Sequence, residues 1–78
     1  MQQMTKSEFL AALTDALYAY SDLTDEMVER QIAQFERYFS RMSEEEAQAA
    51  IADFDSAEAI AANIYSLIKE KERQTAQA

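Results

Sequence analysis

An all-α fold, a bundle of four short amphipathic helices, follows from three features of the chain. Its 78 residues include no Gly and no Pro. Tight hairpin turns draw on residues at positive φ, so a β-rich chain without Gly is hard to close, whereas helix interiors exclude both residues. Apolar residues recur three and four positions apart, the spacing of one helical face. Ser or Thr stands before each such stretch, where a helix cap belongs. The length suits one domain, read as residues 1–74 with a frayed tail over 75–78.

Thr5-Lys6-Ser7-Glu8 reads as a capping box, and Phe9, Leu10, Leu13, Ala16, Leu17 and Tyr20 follow on one face. A first helix over about 6–20 is predicted. Ser21-Asp22-Leu23-Thr24 breaks it, with Thr24 as the next cap. Asp25 and Glu26 then sit in a first turn, where the helix dipole favours negative charge. Val28, Ile32, Phe35, Phe39 and Met42 mark a second helix over about 25–41. Glu26 and Arg30 form an i,i+4 pair on it, and Arg37 and Arg41 lie near its C-terminal end.

Ser43-Glu44-Glu45-Glu46 is a second capping box, opening a third helix over 44–53 with Ala47, Ala50, Ile51 and Phe54 on its apolar side. Asp55, tolerant of left-handed backbone, and Ser56, a cap, form the third break. The fourth helix, about 57–73, places Ile60, Ile64, Leu67 and Ile68 on one face. Lys69 to Arg73 alternates in charge and is read as solvated. Helices 3 and 4 are expected to form a hairpin packed on helices 1 and 2.

Chemistry is limited by what is missing. The chain has no Cys and no His, so there is no thiolate, no disulfide and none of the commonest general base and metal ligand. Ser7, Ser43 and Ser56 suit caps and first turns better than nucleophiles, which need an activating base. The carboxylates of Glu44-Glu45-Glu46 are adjacent on a helix and do not converge on a point. No catalytic residue, metal site or cofactor is expected, and the chain is read as no enzyme.

The net charge is −8, and Met42 to Ile68 holds six acidic and no basic residues. Such a surface repels phosphates and anionic headgroups, so neither nucleic-acid binding nor membrane insertion is expected. It suits solubility or a basic partner. No apolar run approaches the ~20 residues that span a bilayer, and residues 1–6 show no signal peptide. The expectation is a cytoplasmic protein.

Phe9, Phe35, Phe39 and Phe54 lie on the apolar stripes and are assigned to the core. Tyr18, Tyr38 and Tyr65 lie at or beyond the stripe edges, the place of a ring half covered and a hydroxyl in water, which protein interfaces also use. With the acidic residues Glu44, Glu45 and Glu58, they are the candidate partner-binding residues.

The order of these pieces resembles that of the HAAS-type all-helical signalling domains. Met4-Thr5-Lys6-Ser7-Glu8-Phe9-Leu10 resembles their opening Lys/Glu-Glu-Phe-Leu helix. Leu23-Thr24-Asp25-Glu26 resembles their Leu-Pro-Glu-Glu, and Ser43-Glu44-Glu45-Glu46 matches their Ser-Glu-Glu-Glu. Phe54 to Ile64 resembles their Leu-Gly-Asp-Pro-x-x-Ile-Ala-x-x-Ile segment, with Ile60, Ala61 and Ile64 in register. Asp55-Ser56-Ala57 replaces the Gly-Asp-Pro, and Thr24 replaces the first Pro. The resemblance, spanning about 4–68, implies a bacterial cytoplasmic signalling module without catalytic residues. Such domains often precede membrane-spanning helices and are often encoded beside PadR-like regulators. A PadR-like regulator, a membrane component or a second copy is the partner it implies.

Two other readings stand beside it. Asp55-Ser56-Ala57 resembles the Asp-Ser-Leu of acyl carrier proteins, which would make Ser56 the phosphopantetheine site. However, Ala57 replaces the Leu, and carriers place that Ser nearer mid-chain with two more helices after it. The acidity also suits a decoy that imitates nucleic acid.

Overall fold

A computed structural model describes residues 4–77, with side chains for residues 4–75. It shows an all-α bundle of four helices: α1 (Lys6–Tyr18), α2 (Asp25–Ser40), α3 (Glu44–Asp53) and α4 (Ala57–Gln77). Each begins at the cap its sequence specifies. Thr5 Oγ1 accepts the Glu8 N–H at 3.1 Å, and the Glu8 carboxylate accepts the Thr5 N–H at 2.9 Å. Ser43 and Glu46 repeat this reciprocal pair at 3.2 and 3.0 Å. Thr24 caps α2 through the Met27 N–H at 3.2 Å, and Ser56 caps α4 through the Ala59 N–H at 3.1 Å. The residue before each of the first three caps is apolar (Met4, Leu23, Met42). Its partner position one turn in is Phe9, Val28 or Ala47, and all six belong to the same core. This is the hydrophobic-staple arrangement, which sets the angle at which the chain enters a helix.

The ends are where the structure departs from the periodicity. α1 stops at Tyr18 rather than at residue 20, because the chain tightens there: the Tyr20 N–H donates to the Leu17 carbonyl, and the Leu23 N–H donates to the Tyr20 carbonyl. α2 ends one residue before the expected 41. Among the described residues none has positive φ, so the third break makes no use of the left-handed backbone that Asp55 would tolerate. Instead Phe54 leaves α3 in an extended conformation, with φ −76° and ψ 155°. α4 continues to Gln77 rather than stopping near 73, since no Gly, Pro or competing cap interrupts it. Of the tail expected to fray, 75–77 is therefore helical, and Ala78 lies outside the described residues.

α1 is the hub. It packs against α2, α3 and α4, while the closest helix–helix approaches all involve it, so the expected hairpin of α3 on α4 is not the organising unit. Its face of Phe9, Leu13 and Leu17 is fully buried. Val28 and Phe39 of α2, Ala47 and Ile51 of α3, and Ala57, Ala61 and Ile64 of α4 close around it. The two buried alanines at i,i+4 leave α4 no bulk on that side and let its backbone come close to α1. At one end of the core Phe9 meets Phe35, Phe39 and Phe54, with ring centroids 6.0, 5.9 and 5.5 Å away. That spacing suits tilted and edge-to-face rings.

These contacts set the helix directions. Phe9 lies near Phe54 and Tyr20 near Tyr65, so α4 runs alongside α1 in the same sense. α2 returns antiparallel to both. At 1.5 Å per residue α4 is about 31 Å long and outlasts α1, and the molecule measures 43 × 22 × 20 Å.

Candidate protein-docking groove

α2 and α4 both pack on α1 but stand apart from each other, and a groove opens between them. Its floor is apolar: Met27 from α2, Ile64 and Ile68 from α4. Two overlapping depressions of about 440 and 510 Å³ occupy it, both walled by Gln31 and Gln34 of α2 and by Lys71 of α4. Leu67 stands on the α4 wall with 62% of its surface exposed, the most exposed large apolar side chain described. Beyond Gln34 the groove continues into an apolar dip of about 300 Å³ formed by Phe35, Tyr38 and Phe54. Tyr38 is 51% exposed there, its ring 5.3 Å from that of Phe39.

Leu67 corrects an expectation. Its spacing placed it with Ile60, Ile64 and Ile68 on the buried face, yet that face is covered by α1 only as far as Ile64 and, in part, Ile60 and Ile68. Leu67 lies at the stripe's edge, on the side facing α2, and α2 is too far away to cover it.

The six candidate partner-binding residues do not form one surface. Tyr38 belongs to the groove. Tyr18 is 45% exposed at the far end of α1. Partial desolvation, then the Asp25 and Glu29 carboxylates, raise its phenol above the ordinary tyrosine value. Glu45 and Glu58 are exposed in the first turns of α3 and α4.

Two of the six have internal roles. The Glu44 carboxylate accepts the Lys6 backbone N–H at 3.1 Å, satisfying a free donor at the start of α1. The Lys6 ammonium in turn donates to the Phe39 and Met42 carbonyls at the end of α2, at 3.3 and 2.9 Å. One junction thus ties the beginnings of α1 and α3 to the end of α2, with charges matched to the helix dipoles.

Tyr65 is half-buried and stacked on Tyr20, with centroids 4.2 Å apart and planes 14° off parallel. Its hydroxyl donates to Asp22 Oδ2 at 2.7 Å. Lys69 pairs with the same carboxylate oxygen and lies 5.5 Å over the Tyr65 ring. The α1–α2 loop is therefore clasped to α4, and Lys69 is an anchor rather than part of a solvated run. The hydrogen bonds from Lys69 and Tyr65 hold the Asp22 carboxyl below its ordinary value. Asp22 raises Lys69 and Tyr65 above theirs.

Ser56 is engaged as the α4 cap, and one helix follows it. Among the described residues no three acidic side chains gather as a metal site would require. No helix among them is long and apolar enough to cross a membrane. A comparison with known proteins finds no matching family model, no matching curated protein and no matching solved structure.

Proposed function

We propose that the chain is a non-catalytic protein-interaction module of the signalling kind, and that it docks its partner in the α2–α4 groove. One observation carries this reading: an apolar floor of Met27, Ile64 and Ile68 beside the exposed Leu67, with the exposed Tyr38 past Gln34, left open by two helices that share a third as support. Apolar side chains left open in a groove of a small acidic domain cost solubility, and exposed apolar patches mark places where another surface binds. A trough between two antiparallel helices suits a third helix laid into it. The resemblance to HAAS-type domains supports the same class of function and points to a PadR-like regulator or a membrane component as the partner.

The test is capture from a lysate of the source cells with three tagged baits: the wild-type chain, Leu67→Glu and Tyr18→Ala. Leu67 is mostly exposed, so Leu67→Glu should melt within a few degrees of wild type. A protein retained by wild type and Tyr18→Ala but lost by Leu67→Glu supports groove docking. Partners retained equally by all three, or turnover of a substrate by the purified chain, would contradict it.

A further inference from the structure

The groove carries both halves of a self-contact. Leu67 stands out from the α4 wall, and the apolar floor of Met27, Ile64 and Ile68 lies open beside it. A knob and a hole on one face are what a twofold pair requires, since each copy must offer what the other fills. The charges of the lining follow the same rule. They are Arg30 and Lys71 against Glu70 and Glu72, so the lining is neutral in a chain of net charge −8. Arg30 is paired with Glu26 at 2.9 Å, and Glu72 with Lys69 at 3.5 Å. Among the described residues Glu70 and Lys71 form no ion pair. They are adjacent on α4, and adjacent helical residues do not face each other, so neither satisfies the other within one chain. Across a twofold axis beside them, two α4 helices run antiparallel, and Glu70 of each copy meets Lys71 of the other. Gln31, Gln34 and Gln74 each donate and accept, so these amides also suit a copy of themselves.

From this self-complementarity we infer that a second copy of the chain occupies the groove, with Leu67 of each seated on the apolar floor of the other. The inference rests on the groove reading and names the occupant in the free chain, which a regulator or membrane component would have to displace. Much of the negative charge lies off this face. Six acids, from Glu44 to Glu58, stand on α3, just after it and in the first turn of α4. Glu58 is about 20 Å along α4 from Lys71, well beyond the Debye length of about 8 Å at physiological salt. Asp25 and Glu29 stand on α2 itself and temper the association. Two such faces, each about 31 Å by 20 Å, bury roughly 1,200 Å² together, the lower end for a specific interface, so a dissociation constant on the order of 10–100 μM is expected.

Sedimentation equilibrium on the full chain, at concentrations on either side of that constant, tests this. Wild type is expected to pass from monomer to dimer. Glu70→Lys and Lys71→Glu each set like charges across the axis and should weaken the dimer at least about tenfold. An equimolar mixture of the two variants restores both contacts and should dimerise as wild type does. Leu67→Glu should stay monomeric, with circular dichroism confirming that it folds. Tighter association of Glu70→Lys than of wild type would overturn the pairing, since net charge would then decide. A dimer indifferent to Leu67→Glu is built elsewhere and would overturn the inference. A wild-type chain that stays monomeric throughout would overturn the second copy. The groove reading then stands if the Leu67→Glu bait still loses a captured protein, and falls with it if all three baits retain the same partners.

Discussion

At the scale of single residues, side chains far apart in sequence decide what a given group is for. Glu44 and Tyr65 are plausible contact residues when only their neighbours in sequence are considered. In the fold, Glu44 is occupied 38 residues away by the Lys6 N–H, and Tyr65 is occupied 43 residues away by Asp22. No local spacing announces either contact, whereas the caps Thr5–Glu8 and Ser43–Glu46 are three residues apart and fully legible. Leu67 shows the reverse case: its spacing marks it as core, and only the distance between α2 and α4 exposes it. The Asp22 clasp makes a prediction with a definite sign. Asp22 is more acidic when folded than when unfolded, so its contribution is complete above the ordinary aspartate value and is lost as pH falls through the folded one. Glu8 and Glu46, lowered by their capping bonds to Thr5 and Ser43, add to the same acid limb. Urea midpoints measured from pH 6 down to about pH 2 should therefore decline, and Asp22→Asn should flatten that decline. An unchanged slope would remove the clasp from the account. Phe9 is the residue on which the core turns, fully buried beneath three other rings. Phe9→Ala should cost about 3–5 kcal/mol in urea unfolding, a large share of the stability of a domain of this size.

At the scale of the helices, starts were more readable than stops. A start is written locally by a capping side chain and the apolar residue before it. A stop is normally written by Gly or Pro, and this chain has neither. α1 consequently ends by tightening its last turns, α3 ends in extended backbone at Phe54, and α4 runs on to Gln77. Ser43→Ala should lower stability by about 1 kcal/mol, because it frees the Glu46 N–H and breaks the reciprocal box. The hub role of α1 was not legible either, since periodicity identifies a buried face but not the helix it meets. Buried Ala57 and Ala61 indicate close approach of α4 to α1. Ala61→Leu should therefore cost about 1–3 kcal/mol by overpacking, while Ala33→Leu on the exposed flank of α2 should change stability little. Equal effects at the two positions would contradict the close approach.

At the scale of the whole molecule, the absence of Gly, Pro, Cys and His narrows both fold and function before any contact is known. Those absences point to helices and away from thiol and imidazole chemistry. They say nothing of where a partner sits, because the groove arises from two helices leaning on a third and leaving a gap. The central claim is that this gap is the docking surface. The measurement that tests it most directly is amide shift mapping on the labelled chain with a captured partner. Perturbations gathered on Gln31, Gln34, Tyr38, Leu67 and Lys71 are the predicted result. Perturbations centred on Tyr18, Glu45 and Glu58, with the groove silent, would contradict it and move the interface to the acidic surface.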